Sequence, residues 1–129
     1  MSEQREELLK RWAELAQGEC EVWREAAPYL LPEFRFVALG AVVDMGDYHD
    51  RAVLLLALIE AVRARGWHYR LRSDETETEN EEPCAWHDAR VFYSKTYPTQ
   101  GLDASAAEPC DALLSAYVQA LKATQENGQ

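Results

Sequence analysis

Positive charge is scarce in this chain of 129 residues: 13 lysines and arginines face 23 aspartates and glutamates, for a net charge of -10 and a pI of about 4.7. A general binder of duplex nucleic acid shows a basic stripe and an alkaline pI, so sequence-independent DNA binding is not expected. Cysteines are few. Cys20, Cys84 and Cys110 are odd in number, widely spaced and form no Cys-x-x-Cys pair, so no disulfide framework is implied. Six glycines, at 18, 40, 46, 66, 101 and 128, make no phosphate-cradling loop. The apolar stretch from Ala52 to Ile59 falls short of the roughly 20 residues a membrane span takes. The first residues alternate in charge and have no uninterrupted apolar segment, so neither a signal peptide nor an anchor is expected, and cytoplasmic residence is the default. No fixed-period repeat appears, which argues against a solenoid.

What is present is one continuous pattern from Asp47 to Leu121. Asp47 is placed to cap a helix, Asp50 sits at its positive end, and Ala52, Val53, Leu54, Leu55, Leu56, Leu58, Ile59 and Val62 follow before Gly66 ends it. Apolar residues take up nearly the whole circumference, so cover on more than one side is predicted, by a sheet and by another helix or subunit. After Gly66 the period becomes two: Trp67, Tyr69 and Leu71 alternate with His68, Arg70 and Arg72, giving a strand with one core face and one basic face. The run from Ser73 to Pro83 has self-repelling charge and no apolar anchor, and reads as a mobile hairpin loop. Trp86 to Thr96 reads as a second strand whose inward face is either Ala89, Val91 and Tyr93 or Trp86, Arg90 and Phe92. Tyr97 to Gly101 is a turn. Ser105 with Glu108 makes a capping box for a last helix, with Pro109 in its first turn and Leu113, Leu114, Tyr117, Val118, Ala120 and Leu121 as its buried stripe.

Upstream, Leu9, Trp12, Ala16, Cys20, Trp23 and Ala27 keep helical spacing, which predicts an amphipathic helix from Ser2 to about Ala27, weakened at Gly18 and closed by Pro28 and Pro32. Phe34 to Val43 is either a third strand bent at Gly40 or a short buried helix, and its β-branched content favours the strand. The length suits one domain, since domains most often run about 100 to 150 residues. The expected fold class is α+β, an antiparallel β-sheet of two or three strands packed with α-helices. Its α-β-β-α core is preceded by an N-terminal amphipathic helix: helix and linker over 1–32, core over 33–124 and a disordered tail over 125–129.

The order Asp47-Tyr48-His49-Asp50 opening an alanine- and leucine-rich helix, the Gly66-Trp67 helix end, the aromatic strand Trp86 to Tyr93, and Ala104-Ser105 followed by Pro109 and Ala112 to Leu121 carries a family likeness. Over about 47–121 the chain resembles the small phage and prophage proteins with the phage ABA sandwich, an α-β-β-α domain. The resemblance implies a phage-associated accessory protein and carries over no catalytic residue.

Three constellations compete as sites. The basic strand face, with His68, Arg70 and Arg72 joined by Arg90 or Lys95 beside the rings of Trp86, Phe92 or Tyr93, offers guanidinium forks for phosphates and aromatic faces for bases, so a small anionic or nucleotide ligand fits it. The same residues also fit an ordinary solvated sheet face whose arginines neutralise the acidic run. Asp74, Glu75, Glu77, Glu79, Glu81 and Glu82, which supply six of the ten net negative charges, fit an acidic inhibitor or immunity-like protein masking a basic protein partner, or simply a solubilising connector. His49-Asp50, and His87-Asp88 with Cys84 nearby, have metal-ligand or acid-base chemistry. Adjacent strand residues point to opposite faces, however, and Asp50 already serves the helix end. No metal, cofactor or catalytic residue is therefore assigned, and Ser94 and Ser105 lie in no nucleophile motif. The first reading is a non-enzymatic accessory or binding protein of counter-defence type. A homo-oligomer is expected from the tryptophans and the over-apolar helix.

Overall fold

Gly66 ends a helix as the sequence predicts. In the computed structural model α2 spans Tyr48–Ala64, and Gly66, at φ 73°, donates to the Arg63 carbonyl while Trp67 donates to that of Val62. These two bonds are the Schellman closure, in which a residue without Cβ takes the left-handed position. The structure describes residues 3–44, 48–77, 83–93 and 101–126, and the side chains of all of these except 3, 48, 74–77, 83–86 and 126. The Asp47 cap and the Tyr97 to Gln100 part of the turn lie outside the described residues.

The chain is α+β, with three helices and two antiparallel three-stranded sheets among the described residues. An α-β-β-β unit, α1 (Glu3–Leu15), β1 (Cys20–Arg24), β2 (Glu33–Phe36) and β3 (Ala41–Val43), is followed by a second, α2, β4 (His68–Glu77), β5 (Pro83–Phe92) and β6 (Gly101–Ala106), and then by α3 (Pro109–Glu126). The sheets have the orders β1-β2-β3 and β4-β5-β6.

Several expectations are corrected. The N-terminal helix stops at Leu15, and the rest of its predicted length is the turn at Gln17–Glu19 and β1. The spacing of Cys20 and Trp23 continued the helical pattern by coincidence. Cys20 faces the core, Trp23 faces outward, and the exposed Gly18 lies where the helix has already ended. Leu9, Trp12 and Cys20 are fully buried in the same core as Phe34, Leu58 and Leu113. Phe34 to Val43 is two strands, β2 and β3, turned at Gly40 with φ 63°.

The acidic run is not a loop over its whole length, since the ladder of β4 with β5 continues from His68↔Phe92 through Ser73↔His87 to Glu77↔Pro83. Ser105 caps no helix. It lies in β6, whose Leu102, Ala104 and Ala106 pack on the core while Asp103 and Ser105 are exposed. α3 begins at Pro109, with the Glu108 carbonyl accepting from Ala112. The C-terminal order is thus α-β-β-β-α rather than α-β-β-α.

As the sequence predicts, α2 is covered on more than one side, by α3 and by β4 of the second sheet, and the cover is fuller still on α3. That last helix lies against β5 and β6 and against both other helices, and Ala112, Leu113, Leu114, Ala116, Tyr117, Val118, Ala120 and Leu121 are all buried. α2 buries Leu54, Ala57, Leu58, Ala61 and Val62 but leaves Leu56 half exposed.

Candidate functional site

The pairing of β4, β5 and β6 settles which side chains share a face. Tyr69, Leu71, Ala89, Val91, Leu102 and Ala104 pack on the core. By strand alternation His68, Arg70 and Arg72 then lie on the other face with Arg90 and Phe92 of β5, in the register Arg70↔Arg90 and His68↔Phe92. All three β4 residues are exposed, and none has a side-chain partner among the described residues. Alternate residues of a strand are about 7 Å apart, so the row presents cationic groups at intervals suited to a ligand with more than one anionic centre.

Arg90 is differently placed. Its Nη1 meets Asp103 Oδ2 at 2.7 Å, and its guanidinium lies 5.2 Å from the centroid of the Phe92 ring. Gly101 makes room for it, since a Cβ there would come within 2.8 Å of Arg90 Nε. Beside this pair the Ser105 hydroxyl donates to the Asp88 carboxylate. β6, absent from the sequence reading, thus brings an acidic and a hydroxyl side chain onto the face and neutralises its centre. The signal that would have found it is the alternation Leu102, Asp103, Ala104, Ser105, Ala106.

The other residues assigned to the face separate. Tyr93 belongs to the core side, packed edge-on to Trp67 with ring centroids 6.2 Å apart, and leaves the candidate site. The backbone of Trp86 is paired with Asp74, but its side chain is outside the described residues, as is Lys95 altogether. Of the acidic set, Asp74, Glu75 and Glu77 are in β4, and Glu79, Glu81 and Glu82 lie outside the described residues. His87 and Asp88 diverge as strand geometry requires: His87 Nδ1 is 2.6 Å from Ser73 Oγ, whereas Asp88 turns to Ser105. Among the described residues no three His, Cys, Asp or Glu converge as a metal site. Burial pushes the thiols of Cys20 and Cys110 up to about 12, which leaves them protonated and unreactive at neutral pH.

A second cluster, not foreseen from the sequence, closes the interior. Glu19 Oε1 accepts from Trp12 Nε1 at 3.0 Å and from the Tyr117 hydroxyl at 2.5 Å, while Arg65 Nε reaches Glu19 Oε2 at 2.9 Å and the Tyr117 oxygen at 2.8 Å. Arg65 also lies 5.2 Å from the centroid of the Trp67 ring. Burial lowers the Arg65 pKa, but the Tyr117 oxygen and the Glu19 carboxylate outweigh it and raise the value overall. Burial and the hydrogen bond to Glu19 raise that of Tyr117. Near the other end of α1, Arg5, itself buried, holds Asp111 through Nε at 2.6 Å and Nη2 at 2.8 Å. These partners are engaged with one another, so the clusters fasten α1, α2 and α3 together. No open acid, base or nucleophile is left in them.

Compared with known proteins, the chain matches no family model, no curated protein and no solved structure. Among the described residues no helix is long and apolar enough to cross a membrane.

Proposed function

We propose that the chain is a small phage-type accessory protein, a binding protein rather than an enzyme, that captures a small anionic or nucleotide ligand on the outer face of β4-β5-β6. The observation that carries the reading is the row His68, Arg70 and Arg72: two guanidinium groups and an imidazole on one strand, exposed and without a described partner. Arginine forks suit phosphate oxygens bidentately. Phe92 lies beside the row and supplies a ring for a base, once the ligand competes with Arg90 for its face. A cytoplasmic setting and a counter-defence role, withholding a nucleotide signal, accord with this chemistry.

Calorimetry against a panel of mono- and oligonucleotides tests it, with wild type beside an Arg70→Ala/Arg72→Ala variant. Wild type is expected to bind one member of the panel, more weakly as salt rises, and the double variant to lose at least about tenfold in affinity. Equal binding by the two proteins would sink the reading.

A second reading has an observation of its own. The β4-β5 ladder runs past the last residue paired with β6, His87↔Ala106, as far as Glu77↔Pro83, so Asp74, Glu75 and Glu77 are carried on a two-stranded arm. In that reading the arm masks a basic protein partner. Replacing Asp74, Glu75, Glu77, Glu79, Glu81 and Glu82 by their amides should slow association with such a partner, and added salt should mimic the change. Recovery of the same partner by the neutralised arm would dismiss this reading.

A further inference from the structure

Of the six large apolar side chains exposed among the described residues, four belong to one stretch of chain, Trp23 near the end of β1 and Tyr29, Leu30 and Leu31 in the connection to β2; the other two are Val42 and Leu56. Trp23 is 56% exposed, Tyr29 105%, Leu30 52% and Leu31 40%. Scattered apolar residues on a surface are ordinary, but a contiguous run of large ones on a single protruding turn marks an interaction site.

The turn is built to hold them outward. Ala27 and Leu30 exchange backbone hydrogen bonds at 3.2 and 2.9 Å around Pro28 and Tyr29. Proline fixes φ near -65° and Tyr29 stands at φ 68°, the φ signature of a type II turn, whose third position ordinarily takes glycine. Tyr29 is the one non-glycine residue with positive φ among the described residues. A bulky aromatic is thus kept at a strained position where it touches nothing of its own fold. Below the tip Arg24 Nη2 donates to the Leu31 carbonyl at 2.6 Å and Arg24 pairs with Glu33 at 3.0 Å, while Arg35 lies 5.6 Å from the centroid of the Trp23 ring. The finger is therefore braced before it meets anything, which lowers the ordering cost of binding.

Beside it, on the same chain, runs a groove of about 480 Å³ between α1 and β1, lined by Ala13, Val22, Lys10, Glu14, Glu21 and Glu25, with Gln17 at its edge. Its lining ends at Glu25 and the finger begins two residues later, so finger and groove lie side by side. The groove offers apolar contact at Ala13 and Val22 and carboxylate acceptors at Glu14, Glu21 and Glu25, which match the body and the hydroxyl of a tyrosine.

We infer that a second copy of this chain occupies the groove, each finger seated in the other's groove in a two-fold dimer. A patch that carries both halves of a complementary pair next to each other is what an isologous interface requires, and the exchange closes with no finger left free. The interface lies on the first sheet, so the inference does not rest on the proposed ligand site. The two respond to salt in opposite directions. Ligand capture on the cationic row weakens with salt, whereas two copies of net charge -10 repel, and their apolar association tightens as salt screens them.

Analytical ultracentrifugation of the full chain at two salt concentrations tests the dimer. Wild type is expected to show a monomer–dimer equilibrium that shifts towards dimer at the higher salt. Tyr29→Gly is the decisive variant, because glycine suits φ 68° and relieves the turn: the melting temperature should hold or rise while dimer affinity falls at least about tenfold. Gln17→Trp, from an exposed position, should obstruct the groove and weaken dimerisation from the other side. A mixture of the two variants should form a heterodimer that uses the single intact finger and groove. Wild type that stays monomeric at every concentration, or a Tyr29→Gly protein that dimerises as wild type does, overturns the inference.

Discussion

Arg65 and Arg70 lie close in the chain and in opposite circumstances. Arg65, at the end of α2, is tied to Glu19 and Tyr117 and lies over Trp67, whereas Arg70 and Arg72 of β4 stand exposed with no described partner. A charge partly withdrawn from water has to be met by an opposite charge or by hydrogen bonds, so the interior cations are matched and closed to other chemistry. An exposed guanidinium costs nothing to leave unmatched and keeps its donors for a ligand. The cations that hold the fold and those that could recognise something are thus separate sets, and each set can be removed without the other.

The largest effects belong to the interior. Leu58, fully buried on α2, truncated to alanine should cost about 2 to 5 kcal/mol in denaturant melts, through lost transfer energy and the cavity left behind. Leu56→Ala on the same helix should cost far less, because that side chain is half exposed. Equal costs for the two would show that α2 packs differently. Glu19→Ala should follow at about 1 to 3 kcal/mol, since it strands Trp12 Nε1 and leaves Tyr117 as the one hydrogen-bond partner shown for Arg65. Glu19 and Arg65 keep some solvent exposure, which places the loss below that of a fully buried pair.

Alkaline pH attacks the same interior. In the unfolded chain the thiols of Cys20 and Cys110 lose their protons near the ordinary value of 9.0, while the folded state holds them to about 12. The folded state therefore binds more protons in that window. The stability these groups contribute is whole below pH 9 and is lost as the pH rises towards 12, by up to about 1.4 kcal/mol per pH unit for each thiol. Equilibrium unfolding between pH 8 and 11 measures the slope, and a Cys20→Ala/Cys110→Ala variant should show a shallower one. An unchanged slope would mean that the thiols are not the groups responsible.

The smallest effect is on the cationic row. Arg70→Ala with Arg72→Ala should change stability by less than about 0.5 kcal/mol, because exposed side chains without partners contribute little. A larger loss would place these arginines in the scaffold and dissolve the contrast with Arg65.

The sequence made legible those parts of the fold in which one local period persists. α2 with its Gly66 stop, the stripe of α3 and the alternation from Trp67 to Arg72 each follow from neighbouring residues, and the last identified the row His68, Arg70, Arg72 before its surroundings were known. What escaped was short or distant. β1 hid because Cys20 and Trp23 continued a helical spacing past Gly18. β6 hid because its inward residues are mostly alanine, too small to announce a core face, and because Ser105 and Glu108 imitate a helix cap. The Glu19 cluster joins residues 46 and 98 positions apart, and no local pattern encodes such a meeting. Arg90 looked as free as Arg70 until β6 supplied Asp103.

The most direct test of the separation is backbone amide NMR of the protein titrated with whichever nucleotide binds in calorimetry. The largest shift changes are expected on 68–72 and on Arg90 and Phe92, with Glu19, Arg65 and Tyr117 unmoved. Changes centred on Glu19, Arg65 and Tyr117, with β4 silent, would contradict the separation.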